Sequence, residues 1–72
     1  MTKKKKKKKT KYSLVDIDGN AYSIMGYVQS AMEDVGFSKE DIDAYLDDAM
    51  SSDYNHLLGV SFKMIHSCNE KA

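Results

Sequence analysis

The sequence predicts a mainly α fold: a compact three-helix module with one short N-terminal β-strand and a disordered lysine-rich tail. Three observations carry this. Apolar residues recur at intervals of three and four in successive stretches after residue 20, the period of an amphipathic helix. A capping residue (Asn20, Ser38 or Asp53) stands before each stretch. Charge is segregated, with eight of the eleven lysines inside the first eleven residues and all eleven acidic residues between Asp16 and Glu70. The organisation read from this is a tail, residues 1–11, and a small helical domain, residues 12–72.

The elements follow in order. Tyr12, Leu14, Val15 and Ile17 form a short β-prone segment, about 12–17, ended by Asp18-Gly19-Asn20. An Asp-Gly pair between apolar residues is also a hairpin signal. The spacing of Tyr22, Met25, Val28, Met32 and Val35 is helical instead, and places a first helix at about 21–35 with Asn20 as N-cap and Gly36 as its stop. Ser38 followed three residues later by Asp41 is a capping-box variant, and Glu40 and Asp41 suit the positive end of the helix dipole. Ile42, Tyr45, Leu46, Ala49 and Met50 give this second helix, about 39–50, its apolar face. Ser51-Ser52-Asp53 breaks the pattern and starts a third helix, about 53–68, carrying Tyr54, Leu57, Leu58, Ser61, Phe62, Ile65 and Cys68, weakened slightly by Gly59. The expected core is Leu14, Ile17, Ile24, Met25, Val28, Met32, Val35, Phe37, Ile42, Leu46, Met50, Leu57, Leu58, Phe62 and Ile65.

Size and composition bound the function. A domain near 60 residues buries only about 60% of the surface its unfolded chain exposes, so a module acting through its surface is expected rather than a large enclosed active site. A single cysteine, Cys68, forms no internal disulfide and reads as a plain late-helix residue of a reducing compartment. No apolar stretch has the length of an export signal or of the roughly 20-residue membrane span, and a cytoplasmic protein is the expectation. The chain has no arginine, the residue that reads guanine edges and clamps phosphate, which disfavours specific base readout.

Three blocks, Val15-Asp16-Ile17-Asp18-Gly19-Asn20-Ala21, Gly36-Phe37-Ser38-Lys39-Glu40-Asp41-Ile42 and Ser52-Asp53-Tyr54-Asn55-His56-Leu57-Leu58, resemble small uncharacterised bacterial proteins found in phage and other mobile elements. The resemblance spans nearly the whole domain and excludes the tail. It implies a bacterial cytosolic accessory protein and carries no established activity.

Asp16-x-Asp18-x-Asn20 matches the first three ligand positions of an EF-hand loop, but the loop then needs Gly, an apolar anchor and Glu where Ala21, Ser23 and Tyr27 stand. A turn whose Asp and Asn oxygens cap backbone N–H groups is the expected role. Leu14-Val15-Asp16-Ile17-Asp18-Gly19 also looks like the aspartate motif of haloacid-dehalogenase-type phosphatases, which need a full α/β domain that this chain is too short to supply. His56 and His66 lie ten residues apart on one helix, about 15 Å along its axis, too far to share a metal. His56 beside Asp53 suits a local hydrogen bond, and the neighbouring Asp47-Asp48 reads as a solvated acidic face. The reading therefore names no catalytic, cofactor-binding or metal-ligating residue, no cofactor, and no enzymatic activity.

Helix, glycine turn and helix is also the outline of a helix-turn-helix. The would-be recognition helix, however, carries Glu40, Asp41, Asp43, Asp47 and Asp48 against Lys39 and would be repelled by phosphate. Val35-Gly36-Phe37 before an amphipathic helix more closely resembles the ubiquitin-associated domains, whose equivalent turn contributes to protein recognition. The expected function is a non-catalytic protein-interaction module whose partner is an unidentified protein or a second copy, with Tyr22, Tyr27, Tyr45 and Met64 as candidate interface residues. The alternative is a nonspecific nucleic-acid-binding accessory factor acting through Lys3, Lys4, Lys5, Lys6, Lys7, Lys8, Lys9 and Lys11. A solubilising tail, or one neutralised by its own acidic domain, competes with both. Without an acyl motif or apolar anchor the run is not expected to hold a membrane.

Overall fold

The computed structural model describes residues 11–15 and 17–72, which fold into three helices: α1 (Ala21–Asp34), α2 (Lys39–Ala49) and α3 (Tyr54–Lys71). The lysine run Lys3–Lys9 and Asp16 lie outside the described residues.

Each helix starts where a short polar side chain supplies an acceptor. Asn20 Oδ1 takes the Tyr22 N–H at 2.8 Å, Ser38 Oγ the Asp41 N–H at 3.1 Å, and Asp53 Oδ1 the His56 N–H at 3.0 Å. Asp18 Oδ1 accepts from the Asn20 N–H at 3.4 Å, so Asp18 and Asn20 serve the turn as capping groups. α1 ends in a Schellman motif: the Phe37 N–H reaches the Met32 carbonyl at 2.9 Å, and the Gly36 N–H the Glu33 carbonyl at 3.2 Å. Gly36 sits at φ 96°, the left-handed region that glycine adopts without penalty. α2 closes on Met50, whose N–H bonds the Leu46 carbonyl, and Ser51 caps the Asp48 carbonyl through both its N–H and its hydroxyl.

α1 and α3 share the largest helix–helix face and run parallel, with α2 antiparallel to both. Two tethers fix that direction. Near the start of α1 the Tyr54 hydroxyl donates to the Gly19 carbonyl, and near its end Asp34 and Asn69 grip the same residue, Tyr12. The core is the inward stripe of each helix: Ile24, Met25, Val28, Ala31 and Met32 from α1; Ile42, Tyr45 and Ala49 from α2; Leu57, Ser61, Ile65 and Cys68 from α3.

The expected strand at 12–17 does not form among the described residues. Three helices use their own backbone groups internally and offer no free edge for pairing. Side chains take over: Asn69 accepts from the Tyr12 N–H at 2.8 Å and donates to the Tyr12 carbonyl at 3.0 Å, as a neighbouring strand would. Ser13 Oγ accepts from the Val15 N–H, and the Ile17 N–H closes a turn on the Leu14 carbonyl.

The core also differs from expectation in register. Met50 and Phe62 were expected inside and are 57% and 55% exposed. Phe62 stands one residue, about 100°, past the buried Ser61 on α3. Met50 is the C-cap of α2, beyond its last buried turn. Leu14, Ile17, Val35, Phe37, Leu46 and Leu58 are partly buried against the core, whereas Tyr12, Ala31, Tyr45, Ala49, Ser61 and Cys68 are buried within it. α3 also runs three residues beyond the expected end, to Lys71, whose charge suits the negative end of its dipole.

Candidate docking groove

The start of α1, the end of α2 and the start of α3 meet at one pole of the bundle around a shallow apolar groove of about 270 Å³. Its floor is built from the core residues Met25, Ala49 and Leu57. Its rim is Tyr22, 79% exposed, with Met50 and with Tyr54, 45% exposed. The local fold explains why these large side chains face water. Tyr22 lies in the first turn of α1, two residues before the first buried position; Met50 and Tyr54 flank the α2–α3 turn, beyond the reach of a third helix. The bond from the Tyr54 hydroxyl to the Gly19 carbonyl anchors that ring across 35 residues of sequence.

The opposite pole is polar. Here the Tyr12 hydroxyl donates to the Asp34 carboxylate, and Lys11 lies 3.4 Å from the same carboxylate and 5.6 Å from the Tyr12 ring centroid. The bond to Asp34 is the chief reason that the Tyr12 phenol is pushed up to about 12, with burial and the Asp34 charge adding to it. Asp34 is held below the usual carboxylate range, first by the Tyr12 hydroxyl and then by Lys11. Lys71 lies 5.2 Å from the Phe37 ring at the same pole.

The four interface candidates do not form one patch. Tyr22 is on the groove rim, whereas Met64 belongs to a separate shallow surface with Val60 and Lys63. The Tyr27 hydroxyl is occupied by the Ser13 N–H at 3.0 Å. Tyr45 is 3% exposed, its hydroxyl 2.6 Å from Ser61 Oγ, and is a core residue rather than a surface one. Sequence reasoning missed Met50 and Tyr54 as rim residues. Their position at the two ends of the Ser51–Asp53 break was the available signal, because apolar residues at a helix terminus outlast the face that covers them.

The imidazole of His56 bonds Asp48, at 3.0 Å, and not Asp53, which is turned to its capping role. His66 pairs with Glu70 at 3.2 Å one turn on. Both pairs are exposed and worth little in stability. Among the described residues no three His, Cys, Asp or Glu side chains converge as metal ligands, and no helix is long and apolar enough to cross a membrane. Cys68 is fully buried, and burial pushes its thiol up, so it stays protonated and unreactive at neutral pH.

Comparison with protein-family models, with curated proteins and with solved structures gives no match.

Proposed function

We propose that the protein is a non-catalytic protein-interaction module that docks its partner at the groove between Tyr22, Met50 and Tyr54. The observation that supports this reading is the clustering of three large, exposed apolar or amphipathic side chains around an apolar floor, in a domain whose core positions are otherwise filled. Tyrosine and methionine are the residue types enriched at the centres of protein interfaces. Tyrosine brings contact area at small entropic cost, and methionine adapts its shape. The Tyr54 ring is also pre-positioned, by its bond to the Gly19 carbonyl, which lowers the ordering cost of association.

Site-specific photo-crosslinking tests the reading. A benzophenone side chain placed at position 22 or 50 of the full chain in cells should give a discrete protein adduct. The same group at His66, exposed on α3 outside the groove, should not, and Tyr54→Asp should abolish the adduct. Equal capture at all three positions, or none at the groove, would remove the basis for the proposal.

A further inference from the structure

The groove pole carries Asp18, Asp47, Asp48 and Asp53, and among the described residues no lysine lies closer along α3 than Lys63, about two and a half turns from Tyr54. Lys11, Lys39 and Lys71 lie at the opposite pole, where the tail joins the domain and where Lys11 and Lys39 pair with Asp34 and Asp43 among the carboxylates of that end. We infer that the groove takes a lysine-rich segment, and that its occupant is the Lys3–Lys9 run of a second copy of this chain, giving a head-to-tail association. This rests on the docking reading above and names its partner.

The chemistry of the rim suits that occupant. Tyr22 and Tyr54 are exposed, and an ammonium over a tyrosine face is attracted by the ring quadrupole. The aliphatic stems of lysine lie along apolar surface while their charged ends stay in water, so the Met50 side chain and the groove floor can bury methylenes while the surrounding carboxylates meet the charges. Sequence supplies the complement: the tail through Lys11 holds eight lysines, and the domain after it has three lysines against eleven carboxylates, a net of −8.

Reach decides between the chain's own tail and a neighbour's. Tyr12 is pinned to Asn69, and Tyr54 lies fifteen residues back along α3, about 22 Å away. Fully extended chain covers about 3.3–3.6 Å per residue, so about six or seven residues before Tyr12 are spent in arriving. Within one molecule only Lys3, Lys4 and Lys5 would meet the groove, and only with every intervening residue fully extended. From a second copy the whole run is free to bind. The lysine run of one copy then meets the acidic groove pole of the next in a heterologous contact, so association grows with concentration.

The test is the solution mass of the full chain by sedimentation equilibrium, over a concentration series at low and high salt. The average mass should rise with concentration at low salt and return to monomer at high salt. Replacing Lys3–Lys9 by serine, or making Tyr22→Lys with Met50→Lys, should each leave a monomer. Mixing those two variants should restore a dimer and nothing larger, because one supplies the only groove and the other the only run. Tyr22→Ser alone should weaken association roughly two- to fivefold, the effect of one exposed cation–π contact. Association that ignores the groove substitutions overturns the inference, as does a mixture that stays monomeric. A chain that is monomeric at low salt yet binds duplex DNA also overturns it and gives the run to nucleic acid. If the chain is monomeric while its groove crosslinkers still capture a different protein, this inference fails and the docking reading stands.

Discussion

The buried pair Tyr45–Ser61 should show strong thermodynamic coupling, and a double-mutant cycle measures it. The two hydroxyls lie 2.6 Å apart between α2 and α3, with Ser61 wholly inaccessible and Tyr45 nearly so. Ser61→Ala strands the tyrosine hydroxyl in an apolar setting at a cost of about 1–3 kcal/mol, reduced by roughly half a kcal/mol because alanine is the better helix former. Tyr45→Phe should cost less, about 1 kcal/mol, because a helical serine left alone can turn its hydroxyl to the carbonyl four residues earlier, here that of Leu57. The double variant loses both polar groups together and should be close to wild type, so the interaction energy is about 1 kcal/mol or more. Urea unfolding followed by far-ultraviolet circular dichroism gives each corner of the cycle, and in a domain of this size 1 kcal/mol moves the melting temperature by about 4–8 °C. Costs that add to within about 0.3 kcal/mol would refute the argument that the two groups satisfy each other.

Gly36→Ala should destabilise by about 1–2 kcal/mol in the same assay, since alanine must enter the left-handed region at φ 96°. Gly59→Ala, in the exposed interior of α3 with open space around the added methyl, should instead stabilise by about 1 kcal/mol. In an alkaline ultraviolet titration the Tyr12 phenol should ionise at about pH 12, and Tyr12→Phe should remove that step. Because the folded phenol ionises above its unfolded value near 10, its contribution to stability is complete below pH 10 and is lost as pH rises toward 12; the stability supplied by Asp34 is complete above the ordinary carboxylate pKa and lost as pH falls below it. The Cys68 thiol should resist a water-soluble disulfide reagent until the protein is unfolded, so modification at the rate of a free thiol under native conditions would contradict its burial.

The helices were legible because their caps and their periodicity are local. Asn20, Ser38, Gly36 and Asp53 each act within four residues of where they stand, and each has the role its type suggests. What could not be read depends on contacts across the chain. Whether Tyr45 or Leu46 points inward is a rotation of about 100° set by where α3 lies, and the buried Ser61 that receives the tyrosine hydroxyl is sixteen residues away. Tyr12 to Ile17 has strand-like composition, but a strand needs a partner edge, and its substitute, the Asn69 amide, is 57 residues off. The groove was hidden for the same reason. Met50 and Tyr54 satisfy the helical apolar pattern, and only the packing of three helix ends shows that none of the described residues covers them.

The grip of Asn69 on Tyr12 also brings the two ends of the three-helix fold side by side. A few flexible residues would therefore join Ala72 to Lys11 and close the chain into a ring, with the break moved to the Ser51–Ser52 turn. Such a permuted protein should keep its three helices while separating the two flanks of the groove, Met50 and Tyr54, onto opposite termini. Topology and binding surface would then come apart in a single molecule: a permuted chain that folds yet does not bind the Lys3–Lys9 run of the full-length Tyr22→Lys, Met50→Lys variant would locate the function in that turn.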